Sequence, residues 1–510
     1  MERFSLFWTL FPFIFIWFPF IWMMGGFLVS CQSETPQAIV EIVNPGFENH
    51  LEGWSSEGSL SEIAFSGNAS LRHGEGLAET SQVVHGLSDG WYTLKAWMRS
   101  NLRHKEAYIA LKSCGGETAR TPLPLIRDQW MHLVVSAQVK GGQCTISLYS
   151  DGDQNAQILF DDVELVPGRA ALSIRGADIS SLKKSEDKGG LYADENGVLG
   201  DALAILRDHG VNFARIRVWV NSPDEYHGKV QLLEMAERLK KHNMGLLVDF
   251  HYSDTWADPG KQTKPKAWEA LDFTELQQAV YDHTLEICNT LKTQAPPAIV
   301  QIGNEITNGM LWPDGKNDRN FKNLAALLKA GYRAVKTCSP STKIMLHLDQ
   351  GGKNELYRWW FDAILEQGVD FDVIGISYYP YWHGSLAHLQ HNLDDLATRY
   401  QKDLIIVETA YPFTDKENDI EPNIIRSQPL PGYRLTPEGQ AQMLRDIMNI
   451  MRAVPNGRGL GIFWWDATWT AVPGNGWDPA NPDSGNGWEN QALFDYQNRA
   501  LPALRVLGTP

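Results

Sequence analysis

The chain has 510 residues, 43% of them hydrophobic and 21% charged, the proportions of a globular protein, which exclude a disordered chain and a multi-spanning membrane protein. Its formal net charge of -16 excludes nucleic acid as a partner, because phosphate backbones are held by clustered Lys and Arg. The 19 Trp point instead to a neutral ligand with flat apolar faces, such as a sugar, although roughly half of them are expected in the core. Length alone suggests three domains, and two if one of them is a barrel.

In chain order, residues Met1–Ser5 precede an apolar run from Leu6 to Met24, which reads as an export signal. The run is long enough to span a bilayer as an uncleaved anchor, but Leu28-Val29-Ser30-Cys31 resembles the bacterial lipobox. Residues 1–31 are therefore assigned as a signal peptide with Cys31 lipidated. The expected location follows: an exported lipoprotein tethered to a membrane only through its N-terminal lipid, at the cell surface or in the periplasm, or a secreted protein. Four cysteines remain, Cys114 and Cys144 in the first domain and Cys288 and Cys338 in the second. A disulfide within each domain and buried free thiols both stay open.

Residues 37–167 show short alternating stretches, such as Trp91–Trp97 and Cys144–Tyr149, broken by Gly, Asn and Asp, the pattern of an antiparallel β-sandwich. Asn44-Pro-Gly-Phe-Glu48 with Gly53-Trp54 at the start, and Phe160-Asp-Asp-Val-Glu-Leu165 at the end, resemble the termini of jelly-roll carbohydrate-binding modules. That resemblance makes Glu48 and Asp162 candidate ligands of a structural calcium, with ordinary surface charge as the competing reading.

From residue 171 to 510 the rhythm becomes strand, helix, strand, as in repeated βα units. Strands are expected near Ala171–Ser173, Ala214–Val218, Gly245–Asp249, Ala298–Ile302, Lys343–Leu346, Val373–Ile376, Leu404–Val407 and Gly461–Phe463. All are brief and apolar, as strands covered on both faces are. Eight of them predict an α/β (β/α)8 TIM barrel.

In such a barrel the reacting groups sit at the C-terminal strand ends. Those positions hold Arg217, Asp249, His251, Asn304, Glu305, His347, Asp349, Tyr378, Tyr379, Glu408, Trp464 and Trp465. Glu305 and Glu408 stand out, each ending an apolar strand, the fourth and the seventh, which face each other across the barrel. At a separation of about 5 Å one carboxylate attacks the anomeric carbon of a glycoside while the other protonates the leaving oxygen, and configuration is retained. Glu305 suits the acid and Glu408 the nucleophile, with Arg217 expected near enough to favour its anion.

The runs Arg215–Asn221, Val248–Pro259, Ile302–Glu305, Ile344–Asp349, Val407–Thr409 and Asn490–Asp495 resemble the motifs of glycoside hydrolase family 53, the arabinogalactan endo-β-1,4-galactanases. The likeness runs from about Gly176 to the C-terminus, and its most specific part is Asp249-Phe-His-Tyr-Ser-Asp-Thr-Trp-Ala-Asp-Pro259. It implies endo-hydrolysis of β-1,4-galactosidic linkages in galactan or arabinogalactan side chains of pectin, releasing galacto-oligosaccharides, by a monomer that needs no cofactor. Of the residues, it implies Glu305 as acid/base and Glu408 as nucleophile. Arg217 and Asn304 would hold the nucleophile and the sugar 2-hydroxyl, and His251, His347 and Tyr379 would line the cleaved subsite. Trp312 would stack a ring, and Trp464 or Trp465 would floor the groove, only one of the two pointing inward. Asp249 and Asp349 join the substrate-binding set.

Two departures qualify the likeness. The family's Trp-Glu-Pro-Ala-Trp is replaced by Trp465-Asp-Ala-Thr-Trp469, so the contact expected from that Glu is either lost or remade by Asp466. The loop Thr414–Asn423 is acidic without the Asp, His and Asn pattern with which bacterial relatives bind calcium, leaving a structural calcium open. The alternatives are another endo-glycanase of the same clan, a β-mannanase or cellulase, and a catalytically silent surface glycan-binding lipoprotein. A metalloenzyme is set aside, because His251 and His347 lie on no ligand-spaced motif.

Overall fold

A computed structural model describes residues 40–510; the signal segment and Cys31 lie outside the described residues. The first part is two five-stranded antiparallel sheets. One contains Gly76–His85, Gln143–Gly152 and His104–Lys112, the other Ile158–Pro167, Gly90–Ser100 and Met131–Val139. Alternation explains the sandwich: along Gly90–Ser100, Tyr92, Leu94, Ala96 and Met98 are buried while Trp91 is exposed. The inward residues meet Ile109, Leu111, Ile146, Leu148 and Phe160 of the neighbouring strands in one core. Cys114 and Cys144 are joined by a disulfide.

The carboxylates singled out as candidate calcium ligands meet a neighbouring loop. Glu48 accepts the amides of Asn68 (2.8 Å) and Ala69 (3.0 Å), which hold its carboxyl below the usual range. Asp161, rather than Asp162, is the buried member of its pair and takes the amides of Phe65 at 2.7 Å and Ser66 at 3.3 Å.

The second part is a closed barrel of eight parallel strands. They are Ile174–Asp178, Phe213–Val218, Gly245–Phe250, Ile299–Ile302, Lys343–Leu348, Val373–Ser377, Asp403–Thr409 and Gly459–Trp464. The first begins at Ile174, just beyond the stretch expected to form it. Ile174, Leu247, Ile299, Met345, Val373, Ile405 and Phe463 fill the interior. Large residues stand where neighbours are small: a Cβ on Gly176 would lie 2.2 Å from the Phe463 ring, and one on Gly245 would lie 2.4 Å from Phe213. The barrel is a packed core with its chemistry confined to one rim.

Outside the strands, the helix Phe273–Lys292 starts at a capping box of Asp272 with Glu275 and is bound to the helix Lys322–Cys338 by the Cys288–Cys338 disulfide. Sandwich and barrel belong to one compact unit. His132 and Gln390 exchange two 2.8 Å hydrogen bonds across their junction, and the amide of Leu125 donates to the Tyr433 hydroxyl at 3.2 Å.

Candidate active site

Strand parity sets the site. On the second strand Phe213, Arg215 and Arg217 share the inward face, and Arg215 is fully enclosed. Its guanidinium meets three carboxylates: Asp178 at 2.8 Å, Asp249 at 2.8 Å and Glu408 at 2.9 Å. It also donates to Asn304 Oδ1 at 2.8 Å. Burial works against its charge, but Asp249, Glu408 and Asp178 outweigh that and keep it protonated. Arg215 therefore holds the role expected of Arg217. Arg217 lies one layer nearer the rim, 3.6 Å from Asp466 and 4.1 Å from the Trp256 ring centroid. Asp466 thus reaches Arg217 as a loose ion pair, with no direct contact to Glu408.

Glu408 turns inward through an irregularity in the seventh strand. Ile376 pairs with Ile406, yet the next residue, Ser377, pairs with Glu408. This one-residue bulge leaves Val407 in the barrel interior and Glu408 in the cleft. Besides Arg215, Glu408 accepts the hydroxyl of Tyr379 at 3.0 Å. Burial pushes the Tyr379 hydroxyl well above its usual range, so it remains a donor.

Glu305 follows Gly303 and Asn304 at the end of the fourth strand. Gly303 has φ +82°, and an added Cβ would meet Ile306 at 2.6 Å. Glu305 itself is left-handed, φ 46° and ψ 52°. A non-glycine residue rarely adopts that conformation, and its strain is characteristic of functional positions. Burial, then the Glu408 and Asp349 carboxylates, raise Glu305 well above the usual range. Burial, with the Asp249 and Asp178 carboxylates, lifts Glu408 too, to about 7, while Arg215 and Tyr379 pull against the rise and hold it below Glu305. The proton of the pair therefore belongs on Glu305 and the charge on Glu408, which alone has two donors aimed at it.

His251 lines the cleft. Its Nδ1 accepts from Trp219 Nε1 (3.3 Å) and the Ala257 amide (3.2 Å), leaving the proton on Nε2 for Asp249 at 3.0 Å. Asn304, Asp349 and Tyr379 also reach the cleft, and Asp349 accepts the Thr307 hydroxyl.

Four expected cleft residues lie elsewhere. Asp249 and His347 are fully buried beneath the site, where Asp249 balances Arg215 and His347 hydrogen-bonds Ser377 Oγ at 2.8 Å. Burial keeps His347 neutral, well below its usual range. Trp464 is fully buried and donates to the Gln491 carbonyl at 2.8 Å. Phe463 faces the barrel interior, so alternation turns Trp464 outward and Trp465 into the cleft. Trp312 is absent from the cleft wall: its indole donates to the Asn308 carbonyl at 2.9 Å, and Lys316 covers its ring at 4.9 Å.

The cleft holds about 610 Å³. Its walls are indoles that the sequence reading gave no role: Trp256, Trp382, Trp469, Trp477 and Trp488, together with Trp465. All but Trp465, which directly follows the last strand, come from loops, where no periodicity marks direction.

The acidic loop Thr414–Asn423 packs on the segment that precedes the last helix. Asp419 spends its two oxygens on the amides of Glu421 (2.8 Å) and Asn486 (2.7 Å). Asn423, Glu489 and Asn490 hold buried side-chain oxygens without partners. Among the described residues no group of three or more His, Cys, Asp or Glu side chains is placed to hold a metal.

A (β/α)8 barrel whose fourth and seventh strands present one protonated and one ionised carboxyl in an indole-walled cleft has the makings of a glycoside hydrolase. The family model of glycosyl hydrolase family 53 matches residues 174–507. A solved structure of the family's catalytic domain from Ignisphaera aggregans is 44% identical, covers 67% of this chain and 97% of that one, and superposes with a TM-score of 0.64. An arabinogalactan endo-β-1,4-galactanase of Thermothelomyces thermophilus is 36% identical over 66% of this chain and 99% of its own length. A probable arabinogalactan endo-β-1,4-galactanase of Aspergillus fumigatus is 39% identical over 67% of this chain and 94% of its own. The chain belongs to glycosyl hydrolase family 53.

Proposed function

We propose that the protein is a retaining endo-β-1,4-galactanase acting on galactan and arabinogalactan. The observation that carries the reading is Glu408, held as an anion by Arg215 (2.9 Å) and Tyr379 (3.0 Å) in the same cleft as a protonated Glu305. Glu408 attacks the anomeric carbon of the bound galactosyl residue as Glu305 passes its proton to the departing glycosidic oxygen. The galactosyl group is then esterified to Glu408, and Glu305 is a carboxylate. That carboxylate removes a proton from water, the water displaces Glu408, and the β-configuration is restored. No group beyond the side chains present is required. The names carried by the relatives support galactan as the substrate, and a row of indoles along the cleft supports attack within a chain.

The finer assignments rest on the sequence. The leader and Cys31 support export as a lipid-tethered protein, the sandwich supports a glycan-binding role for the first domain, and the reading takes the protein as a monomer. Product analysis on linear β-1,4-galactan beside β-1,4-mannan and cellulose tests the activity. Wild type releases short galacto-oligosaccharides from galactan only, initially as the β-anomer, and Glu408→Ala releases none. Hydrolysis of mannan or cellulose in place of galactan refutes the substrate, and initial release of the α-anomer refutes retention.

A further inference from the structure

One end of the sandwich docks beside the catalytic rim. Its Gln129 side chain lies 3.0 Å from the Ser385 hydroxyl, and Leu125 packs on Gly432 and bonds Tyr433. Ser385 follows the sixth barrel strand and Tyr433 the seventh, so both belong to loops of the catalytic face. The contact at Ser385 is three residues after Trp382, a chain reach of at most about 11 Å. Trp382 lines the cleft and is 51% exposed. It leads a series of indoles into the cleft: Trp382 to Trp488 at 6.0 Å, then Trp488 to Trp465 at 4.7 Å.

On the sandwich side, Trp130 is next to Gln129. Its ring lies 6.0 Å from Phe65, which is 41% exposed and stacked at 3.7 Å on Trp97. Trp97 is covered on its other side by His132 at 4.8 Å, so Phe65 and Trp130 are the members of this cluster with ring surface left for a ligand. Phe65 and the half-buried Trp130 thus lie on the sandwich side of the junction whose barrel side carries the exposed Trp382.

The geometry points to Phe65 and Trp130 as a distal subsite for the same galactan chain that lies in the barrel cleft, reached over Trp382. The sandwich would then grip the polymer being cut, and sugar rings stacked on Phe65 and Trp130 would belong to the chain whose internal linkage sits at Glu305 and Glu408. This inference rests on the galactanase reading and assigns the sandwich a place in it.

The test compares KM on polymeric galactan with KM on oligosaccharides short enough to fill the barrel cleft alone. Phe65→Ala and Trp130→Ala each raise KM on the polymer about two- to tenfold, the value of one aromatic platform, with KM on short oligosaccharides and kcat unchanged. Trp91→Ala, at the opposite end of the same strand as Trp97, changes neither. Equal KM values for wild type and Phe65→Ala on the polymer overturn the inference, as does an equal rise on both substrates. Electrophoresis through galactan-containing gels of Glu408→Ala, with and without Phe65→Ala, separates the two readings. If wild type cleaves no galactan but Phe65→Ala still weakens retardation, the catalytic reading fails and the subsite stands. Retardation unaffected by Phe65→Ala, or absent altogether, removes the subsite whatever the enzyme cleaves.

Discussion

Replacing Tyr379 by Phe removes one hydroxyl and leaves the ring in place. That hydroxyl donates to Glu408 Oε2 at 3.0 Å, and a hydrogen bond to an ionised group contributes about 1.5 to 3 kcal/mol. The bond stabilises the Glu408 anion and not its protonated form, so its loss raises the pKa of Glu408. At about 1.4 kcal/mol per pH unit, the acid limb of the kcat/KM profile moves up by about one to two pH units. The sign follows from the roles: activity rises with pH as Glu408 ionises and falls as Glu305 loses its proton. The Tyr379 hydroxyl donates to Glu408 and stays neutral, so the alkaline limb set by Glu305 stays in place and the bell narrows from its acid side. Initial rates on galactan across the pH range, with the variant's melting temperature as a check on folding, give the answer. An acid limb that stays in place while kcat falls refutes the assignment of Tyr379 to the Glu408 anion, and a downward move refutes Glu408 as the group that must ionise.

Arg215→Ala leaves Asp178, Asp249 and Glu408 buried around a missing charge. Losing one partner of a buried pair costs about 3 to 5 kcal/mol, so thermal unfolding shifts sharply downward. Arg215→Lys recovers part of the stability but little activity, since an ammonium cannot meet three carboxylates in one plane; full activity in the Lys variant counts against the argument. The neighbouring tryptophans should separate cleanly. Trp464→Ala empties a fully buried site and destabilises by about 3 to 5 kcal/mol, whereas Trp465→Ala leaves stability within about 1 kcal/mol and raises KM on galactan. Chemical denaturation and steady-state kinetics on the two variants read both effects, and the reverse pattern refutes the strand parity assigned here.

That parity also shows how much of the site was legible beforehand. Glu305 and Glu408 could be found because each ends an apolar stretch too short for a helix. Sequence does not separate Arg215 from Arg217, because residues two apart on a strand share a face, and face is all that alternation reports. Depth along the barrel axis comes from register: Arg215 is level with Asp178 and Leu247, one layer below the rim, where Glu408 can reach it. The bulge that turns Glu408 inward left no mark in Leu404–Thr409, since an inserted residue differs from its neighbours only in how the next strand pairs with it.

The sequence alone determined what depends on local pattern: the run of short apolar strands and amphipathic helices, the alternating sandwich before it, the two carboxylates and the Val248–Pro259 motif. Local pattern suffices there because backbone geometry converts periodicity directly into buried faces. Tertiary structure decided what depends on the meeting of distant segments. It chose Arg215 over Arg217 and Trp465 over Trp464, sent Asp249 and His347 below the cleft and brought loop indoles around it. It also set the sandwich at the catalytic rim through Gln129, His132 and Leu125. Those outcomes follow from strand register and from long loops closing on one another, and neither is fixed by the order of residues within any single segment.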